Sequence, residues 1–399
     1  MTSTTLHESV PPPRTEVGWL GWLRLNLFSS IANSLVTIVV GTFLIYLGLG
    51  LIDWIFTRAE WAVIASNLRT FMLGIYPINQ TWRVWSVILA GSFLIGLGWG
   101  VWGRILRSVA VGMSAVALLL NIFPVSTPTR LYTLAAIGLI VLGFVLTRNR
   151  ERLKRLVMIV WFIFPFVAVL LLRGLGEDAA FLPLVKYDVW GGLLLTFMLA
   201  IIGIIGSFPL GVLLALGRRS RLPVVKTLSI AYIELIRGVP LVTILFMAQV
   251  VLPLFLSTGT SLERSVRALI GIILFSAAYE AEDVRGGLQS IPPGQVEAAQ
   301  ALGMNTFLTT VLIVLPQALR AVIPASVGQF ISLFKDTSLV AIVGLTDLLG
   351  AARGVLAKPD YLGQQVEVYF FCAIIYWVFS YAMSYASKRL EAALGVGQR

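Results

Sequence analysis

The sequence predicts an all-α, polytopic integral membrane protein of about ten transmembrane helices. Of its 399 residues, 58% are hydrophobic and only 12% are charged, about half the charged share of a soluble domain. Apolar runs of about 20 residues recur from end to end, the length a helix needs to cross a hydrocarbon core about 30 Å thick. These runs do not alternate polar and apolar residues, as the strands of an outer-membrane barrel do.

In chain order the runs fall at 28–52, 85–103, 108–124, 131–147, 156–172, 190–216, 228–256, 268–284, 318–345 and 367–386. A polar tail, 1–27, precedes them, with "PPP" at 11–13 and the only histidine, His7. It lacks a short apolar core followed by small residues at a cleavage site, so the first span is expected to be retained. Residues 57–84 are too polar to span, yet Trp61, Phe71, Tyr76, Trp82 and Trp85 stand there among Arg58, Arg69 and Arg83. Aromatics mixed with arginines suit a membrane interface. The loop "RGLGEDAAFLPLVKYDVW" follows the fifth span, and the chain is expected to divide near 175–188. That gives an accessory five-helix region, 28–175, and a core, 188–390. No repeat relates the two halves, so an inverted-repeat transporter has no direct support.

Basic clusters follow alternate spans: Arg104 and Arg107, "RNRERLKR" at 148–155, "RRSRLPVVK" at 218–226, and Lys388 with Arg389. Cytoplasmic loops carry the excess of Lys and Arg, which places these loops and both termini inside. Loop 57–84 falls outside by the same parity, against the trend of its arginines. The net charge of +11 therefore reads as orientation and contact with membrane lipid, not nucleic acid. One cysteine, Cys372, excludes an internal disulfide and reads as a buried free thiol. One His and one Cys leave no zinc site of the usual kind, and no metal is expected.

The core differs from the first half in carrying charge within or beside its spans: Glu234 and Arg237, then Glu280, Glu282 and Asp283, then Lys335 and Asp336. Charge at such depth costs several kcal/mol unless paired or wetted, so it marks candidate function. Glu282 and Arg285 read as a pair beside the cytosol.

The stretch "IPPGQVEAAQALGMN", 291–305, falls in the cytoplasm by the same parity. Pro293 suits a first-turn position, where a missing N–H costs nothing. Gly303 suits the left-handed residue that closes a helix. Ala298, Ala299 and Ala301 keep the helix narrow, and eight or nine residues make it about 12–14 Å long. It reads as a stiff knob for a close-fitting groove, or as an ordinary surface helix.

"EAAQALG" followed by Pro316 in "VLPQALRAVIP" resembles the coupling-helix motif of ATP-binding-cassette (ABC) importer permeases. "GLLLTFMLAIIG", "LALGRRSRLP", "YIELIRGVPLV", "AYEAEDVRGGLQSIPPGQ" and "FKDTSL" continue the match in order. Together they resemble the polar-amino-acid subfamily of type I importer permeases over about 200 residues. The resemblance implies a type I permease core in the C-terminal half. It also implies an ATPase-coupling role for Glu297, Ala298, Ala299, Gly303 and Pro316. Glu280 departs from the family, which has an apolar residue there. The five-span extension, with "NLRTFMLGIYP" and "TWRVW", looks like the long permeases of general L-amino-acid uptake systems. Those imply a second, homologous permease, a periplasmic substrate-binding protein and an ATPase dimer, in the bacterial inner membrane.

The chain lacks G-x-x-x-x-G-K-[ST], the loop that cradles nucleotide phosphates. It is expected to bind no cofactor and to be no enzyme, with ATP and Mg on the partner ATPase. A zwitterionic amino acid needs both signs of charge along its path. Glu234 and Arg237, or Lys335, Asp336, Thr337 and Ser338, could supply them. Glu234 and Arg237, at i and i+3, could instead neutralise each other. A secondary amino-acid transporter or channel is the alternative, but it has no need of the knob. An intramembrane enzyme would need a nucleophile–base pair or metal set that the chain lacks.

Overall fold

The computed structural model describes residues 18–122, 126–177, 179, 181–255 and 262–395. The start of the tail, with His7 and the three prolines, lies outside the described residues. Among these, every element longer than an isolated bridge is helical. The chain splits into two compact units, Met1–Trp61 and Ala62–Arg399.

In the first unit, α1 (Trp19–Asn26) leads to α2 (Ile31–Asp53). Ser30 caps α2, its hydroxyl accepting the Asn33 N–H at 3.1 Å. No residue of α2 is buried, as suits an apolar helix surrounded by lipid. A π-helical turn, Trp54–Arg58, continues it, and Arg58 pairs with Asp53 at 2.6 Å.

The second unit begins with α3 (Ala62–Leu73), α4 (Thr81–Trp102), α5 (Arg104–Ile122), α6 (Thr127–Thr147) and α7 (Lys154–Arg173). It continues with α8 (Gly192–Arg218), α9 (Pro223–Arg237), α10 (Leu241–Val250), α11 (Arg264–Gln289) and α12 (Pro293–Ala301). The short α13 (Thr306–Leu308), α14 (Leu315–Asp336), α15 (Leu348–Leu356) and α16 (Gln365–Leu394) complete it. Seven described helices are long and apolar enough to cross a membrane, and up to eight if α9 and α10 form one bent span. The expected spans 108–124 and 268–284 fall on α5, apolar over Leu106–Asn121, and on the more polar α11.

The expected single span 228–256 is corrected: α9 and α10 meet at 106°. Pro240 caps α10; having no N–H, it cannot carry the ladder on from α9. Within 57–84, two of the aromatics and one arginine are packed inside the protein. Phe71 and Tyr76 have no exposed surface. Phe71 lies 5.2 Å from the Phe371 ring and Tyr76 6.2 Å from Trp190. The chain crosses itself tightly here. A Cβ on Gly74 would sit 2.5 Å from the Gly191 Cα, and one on Gly192, at φ +58, only 2.2 Å from the Phe71 carbonyl oxygen.

Arg83 is also wholly buried. Its guanidinium donates to the carbonyls of Pro183 at 3.0 Å and Leu172 at 3.5 Å. The Tyr76 hydroxyl donates to the same Leu172 oxygen at 2.7 Å, and Arg69 donates to the Tyr76 carbonyl. Arg83 thus serves backbone carbonyls from a site that packing has emptied of water, whereas Arg69 reaches its carbonyl from an exposed position. The expected division near 175–188 is accordingly no break in packing: α3 lies against α8, α15 and α16.

Two apolar clusters hold the core. The larger joins Trp190, Leu195 and Leu199 to Ile272, Phe275, Leu333 and Phe334. The second, with Ala215, Ile233, Val284, Leu288, Val314 and Ala318, lies where α8, α9, α11 and α14 converge towards the knob.

Candidate functional site

The knob forms as the sequence predicts. Pro293 is its first residue, and Gly303 closes it at φ +77. The Gly303 N–H donates to the Gln300 carbonyl at 2.9 Å, and the Met304 N–H to the Ala299 carbonyl at 3.1 Å. These paired bonds satisfy carbonyls the helix end would otherwise leave orphaned. Ala299 is buried, and Ile291 and Val296 pack on the second cluster. Glu297, Ala298, Gln300 and Leu302 face outward, Leu302 being 83% exposed. Behind them Thr309–Val314 is a π-helical turn, against which α12 rests. Pro316, exposed in the first turn of α14, cannot donate a backbone bond, and the wider turn before it absorbs the mismatch.

One level further in, Glu282 of α11 gathers three arginines. Arg218 of α8 reaches Oε1 at 2.7 Å, Arg285 reaches Oε2 at 2.8 Å, and Arg237 of α9 stands 3.7 Å from Oε2. Glu234 pairs with Arg218 at 3.0 Å. The local pairing considered for Glu234 and Arg237 is thus replaced by pairs to other helices. The Arg237 guanidinium also lies over the Tyr279 ring, 5.5 Å from its centre. The Glu282–Arg285 pair stands as expected. The cluster ties α8, α9 and α11 together immediately before the break at Pro240.

Glu280 is wholly buried between α8, α11 and α14. The Ser326 hydroxyl donates to its Oε2 at 3.0 Å, while Oε1 has no hydrogen-bond partner. The backbone of α8 comes so near that a Cβ on Gly211 would lie 2.5 Å from the Glu280 Cβ.

Residues 335–338 do not converge on one space. Lys335 is exposed, Asp336 and Ser338 are half-buried, and Thr337 is fully buried with its hydroxyl donating to the Phe334 carbonyl at 2.7 Å. They lie about three turns of α14 beyond Ser326, away from the Glu282 cluster.

Asp347, which the sequence reading passed over, anchors the opposite end of the core. It is fully buried and caps α15, accepting the Leu349 N–H at 3.2 Å, the Gly350 N–H at 2.9 Å and the Tyr376 hydroxyl at 3.2 Å. The Leu348 N–H donates in turn to the Thr196 hydroxyl of α8 at 3.2 Å. Burial pushes the Asp347 carboxyl up to about 6, against the pull of these donors. An Asp immediately before an apolar helix was the available signal.

Residues 207–396 match the family described as a binding-protein-dependent transport system inner membrane component. The chain is 39% identical to the inner membrane amino-acid ABC transporter permease protein YhdY of Escherichia coli, over 100% of this chain and 99% of that one. This chain belongs to the amino-acid ABC transporter permeases. The permease is 36% identical to the glutamate/glutamine/aspartate/asparagine transport system permease protein BztC of Rhodobacter capsulatus, over 96% of this chain and 95% of that one. It is also 36% identical to the probable glutamine ABC transporter permease protein GlnP of Bacillus subtilis, which matches 51% of this chain over 92% of its own length. The permease is thus a multi-span inner-membrane pathway subunit working with a substrate-binding protein, and its ATPase is a separate subunit. The reading as a secondary transporter or channel gives way to this one.

Proposed function

We propose that this permease pairs with a second, homologous permease to form the amino-acid pathway. An ATPase dimer drives the pair through α12, and a periplasmic binding protein delivers the cargo. In this reading both termini are cytoplasmic, and ATP and Mg are held by the ATPase, none by this chain. Residues 188–390 form the core, and the helices of 28–175 are accessory to it. The observation that carries the proposal is the glycine-closed α12. Its outer face is free, and its inner face is seated on the cluster from which α8, α9, α11 and α14 run into the membrane. Glu297, Ala298, Ala299, Gly303 and Pro316 are the coupling residues. A push on so stiff an element biases one packed arrangement of those helices against another.

The cargo proposed is acidic amino acids and their amides, the substrates named for BztC. Arg237 supports this, being the most weakly paired arginine of the Glu282 cluster and standing at the helix break. Lys335 and Asp336, with Ser338, are the second candidate contact set, and Glu234 supports Arg218. Thr337 shapes this set from within the core. The test is uptake by the reconstituted importer with Gly303→Asp and Glu297→Lys in this subunit. Uptake is expected to fall sharply while membrane abundance stays normal. Unchanged ATP-driven uptake in both variants would overturn the coupling role of α12.

A further inference from the structure

The knob is held to the core at both its ends, and the two ends are built differently. At the first, α12 hangs from α11, where the Ser290 hydroxyl donates to the Gly287 carbonyl at 2.8 Å. From the second, the chain returns through Gly303 and the Asn305 cap, whose Oδ1 accepts the Leu308 N–H at 2.8 Å. It then enters the π-helical turn Thr309–Val314 before α14 begins. Beyond that turn α14 is pinned to α11: a Cβ on Gly287 would press on the Val322 side chain and lie 2.8 Å from the Ala318 carbonyl oxygen. Movement of α12 against α14 therefore falls on the turn. Wide turns of this kind are rare and occur mostly as single bulges at functional sites.

Two side chains make the turn more than a spacer. The Thr309 hydroxyl at its start is buried and has no hydrogen-bond partner. The neighbouring Thr310 hydroxyl, by contrast, donates one turn back to the Thr306 carbonyl at 2.8 Å. A buried hydroxyl left unpaired is costly, so an arrangement of the turn that pairs it competes with the one seen. Gln317 lies across the other end. Its Nε2 donates to the Ile313 carbonyl at 2.8 Å and to Oε1 of Gln295 in α12 at 3.3 Å. One side-chain amide thus ties the turn, the knob and the foot of α14 together. Pro316 beside it has no backbone N–H to contribute.

We propose that Thr309–Val314 is a two-position joint, and that Gln317 is the positioning residue that latches it in the position seen here. In the second position the Thr309 hydroxyl donates to the carbonyl one turn back, at Asn305, and the Gln317–Gln295 bond is open. With α12 as the element the ATPase pushes, as proposed above, the push opens the latch and α14 answers by moving against α11. The latch then governs how much ATP is hydrolysed per amino acid carried, because a joint released too early lets the knob move without α14.

The test uses the complete importer in liposomes with its binding protein and labelled glutamate, and reads ATP hydrolysed per glutamate carried. Gln317→Ala should raise that ratio about fivefold, the equivalent of one side-chain hydrogen bond. Its membrane abundance should stay normal, since the side chain is exposed. Gln317→Lys keeps a donor and should bring the ratio back toward that of the unaltered importer. Thr309→Val keeps the shape, removes the orphan hydroxyl and favours the latched position. Uptake should slow several-fold in it while the melting temperature holds or rises, whereas a hydroxyl with a merely structural role would lower the melting temperature when lost. An unchanged ratio in Gln317→Ala together with unchanged uptake in Thr309→Val would overturn the joint. A ratio raised as far by Gln317→Lys as by Gln317→Ala would overturn the latch. Gly303→Asp in the same liposomes keeps the two readings apart: if it too leaves uptake intact, the coupling role of α12 fails, and if it stops uptake, only the joint does.

Discussion

Ser326 on α14 donates its hydroxyl hydrogen to Glu280 on α11 at 3.0 Å, and the two residues are almost entirely out of solvent. This polar bond joins α11 to α14 where the backbone of α8 at Gly211 also comes close.

Removing the hydroxyl in Ser326→Ala leaves a buried carboxyl with neither oxygen satisfied. A loss of about 1–3 kcal/mol is expected, read as a lower melting temperature of the purified importer. Glu280→Gln retains an acceptor for Ser326 and should melt close to the unaltered protein. Gly211→Ala should fall by about as much as Ser326→Ala through overpacking, because its Cβ would press on the Glu280 Cβ and the Ala277 carbonyl.

The Glu282 cluster predicts unequal effects from two glutamates on neighbouring helices. Glu282→Ala leaves three arginines facing one another with 15% side-chain exposure at the centre, and should cost about 1–3 kcal/mol. Glu234 is 55% exposed, so Glu234→Ala should cost under about 1 kcal/mol. Melting curves of the two variants at low and high salt check both. A Glu234 variant as damaged as the Glu282 variant would place the centre of the cluster wrongly.

The crossing of Gly74 with Gly191 and Gly192 predicts a contrast among glycines. Gly74→Ala and Gly192→Ala should each reduce folded protein in the membrane severely, since backbone would have to move. Gly48→Ala in α2, where an added Cβ meets nothing within 4 Å, should leave abundance unchanged. Fluorescence-detected size exclusion of membranes expressing each variant measures this.

Arg83 predicts a geometric preference over a charge preference. Lysine keeps the charge but cannot reach two carbonyls with a planar fork. Arg83→Lys should therefore lower the melting temperature nearly as far as Arg83→Gln.

What the sequence made legible was local. Apolar length marked the spans, and Pro293 with Gly303 marked both ends of α12, because each signal is contained within a few residues. Pro240 cannot carry the ladder of α9 onward, but a proline alone does not say that α9 and α10 turn through 106°; the size of a bend depends on what packs in its elbow. The partners of Glu234 and Arg237 were hidden because the competing local pair looked adequate. The Glu282 cluster draws on residues some sixty positions away in the chain. Arg83, Phe71 and Tyr76 looked interfacial by composition, yet the partners that bury them lie about a hundred residues or more further on. Thr337 carried no sign that its hydroxyl would turn back to Phe334. Composition says that a side chain is amphipathic, but only the distant chain decides which of its halves meets water.

The glycine seam has a consequence for biosynthesis. The ribosome makes Gly74 well before Gly191, more than a hundred residues earlier in the chain, or several seconds at about 5–20 residues per second. Throughout that interval Phe71 and Tyr76 have no slot to enter, and the face of α3 that packs on α8 is uncovered. A chain shortened to begin at the sixth span would be born with the slot and nothing to fill it. The safer place for a shorter translation start is before Ala62, so that the segment bearing Gly74 is already made when Gly191 emerges.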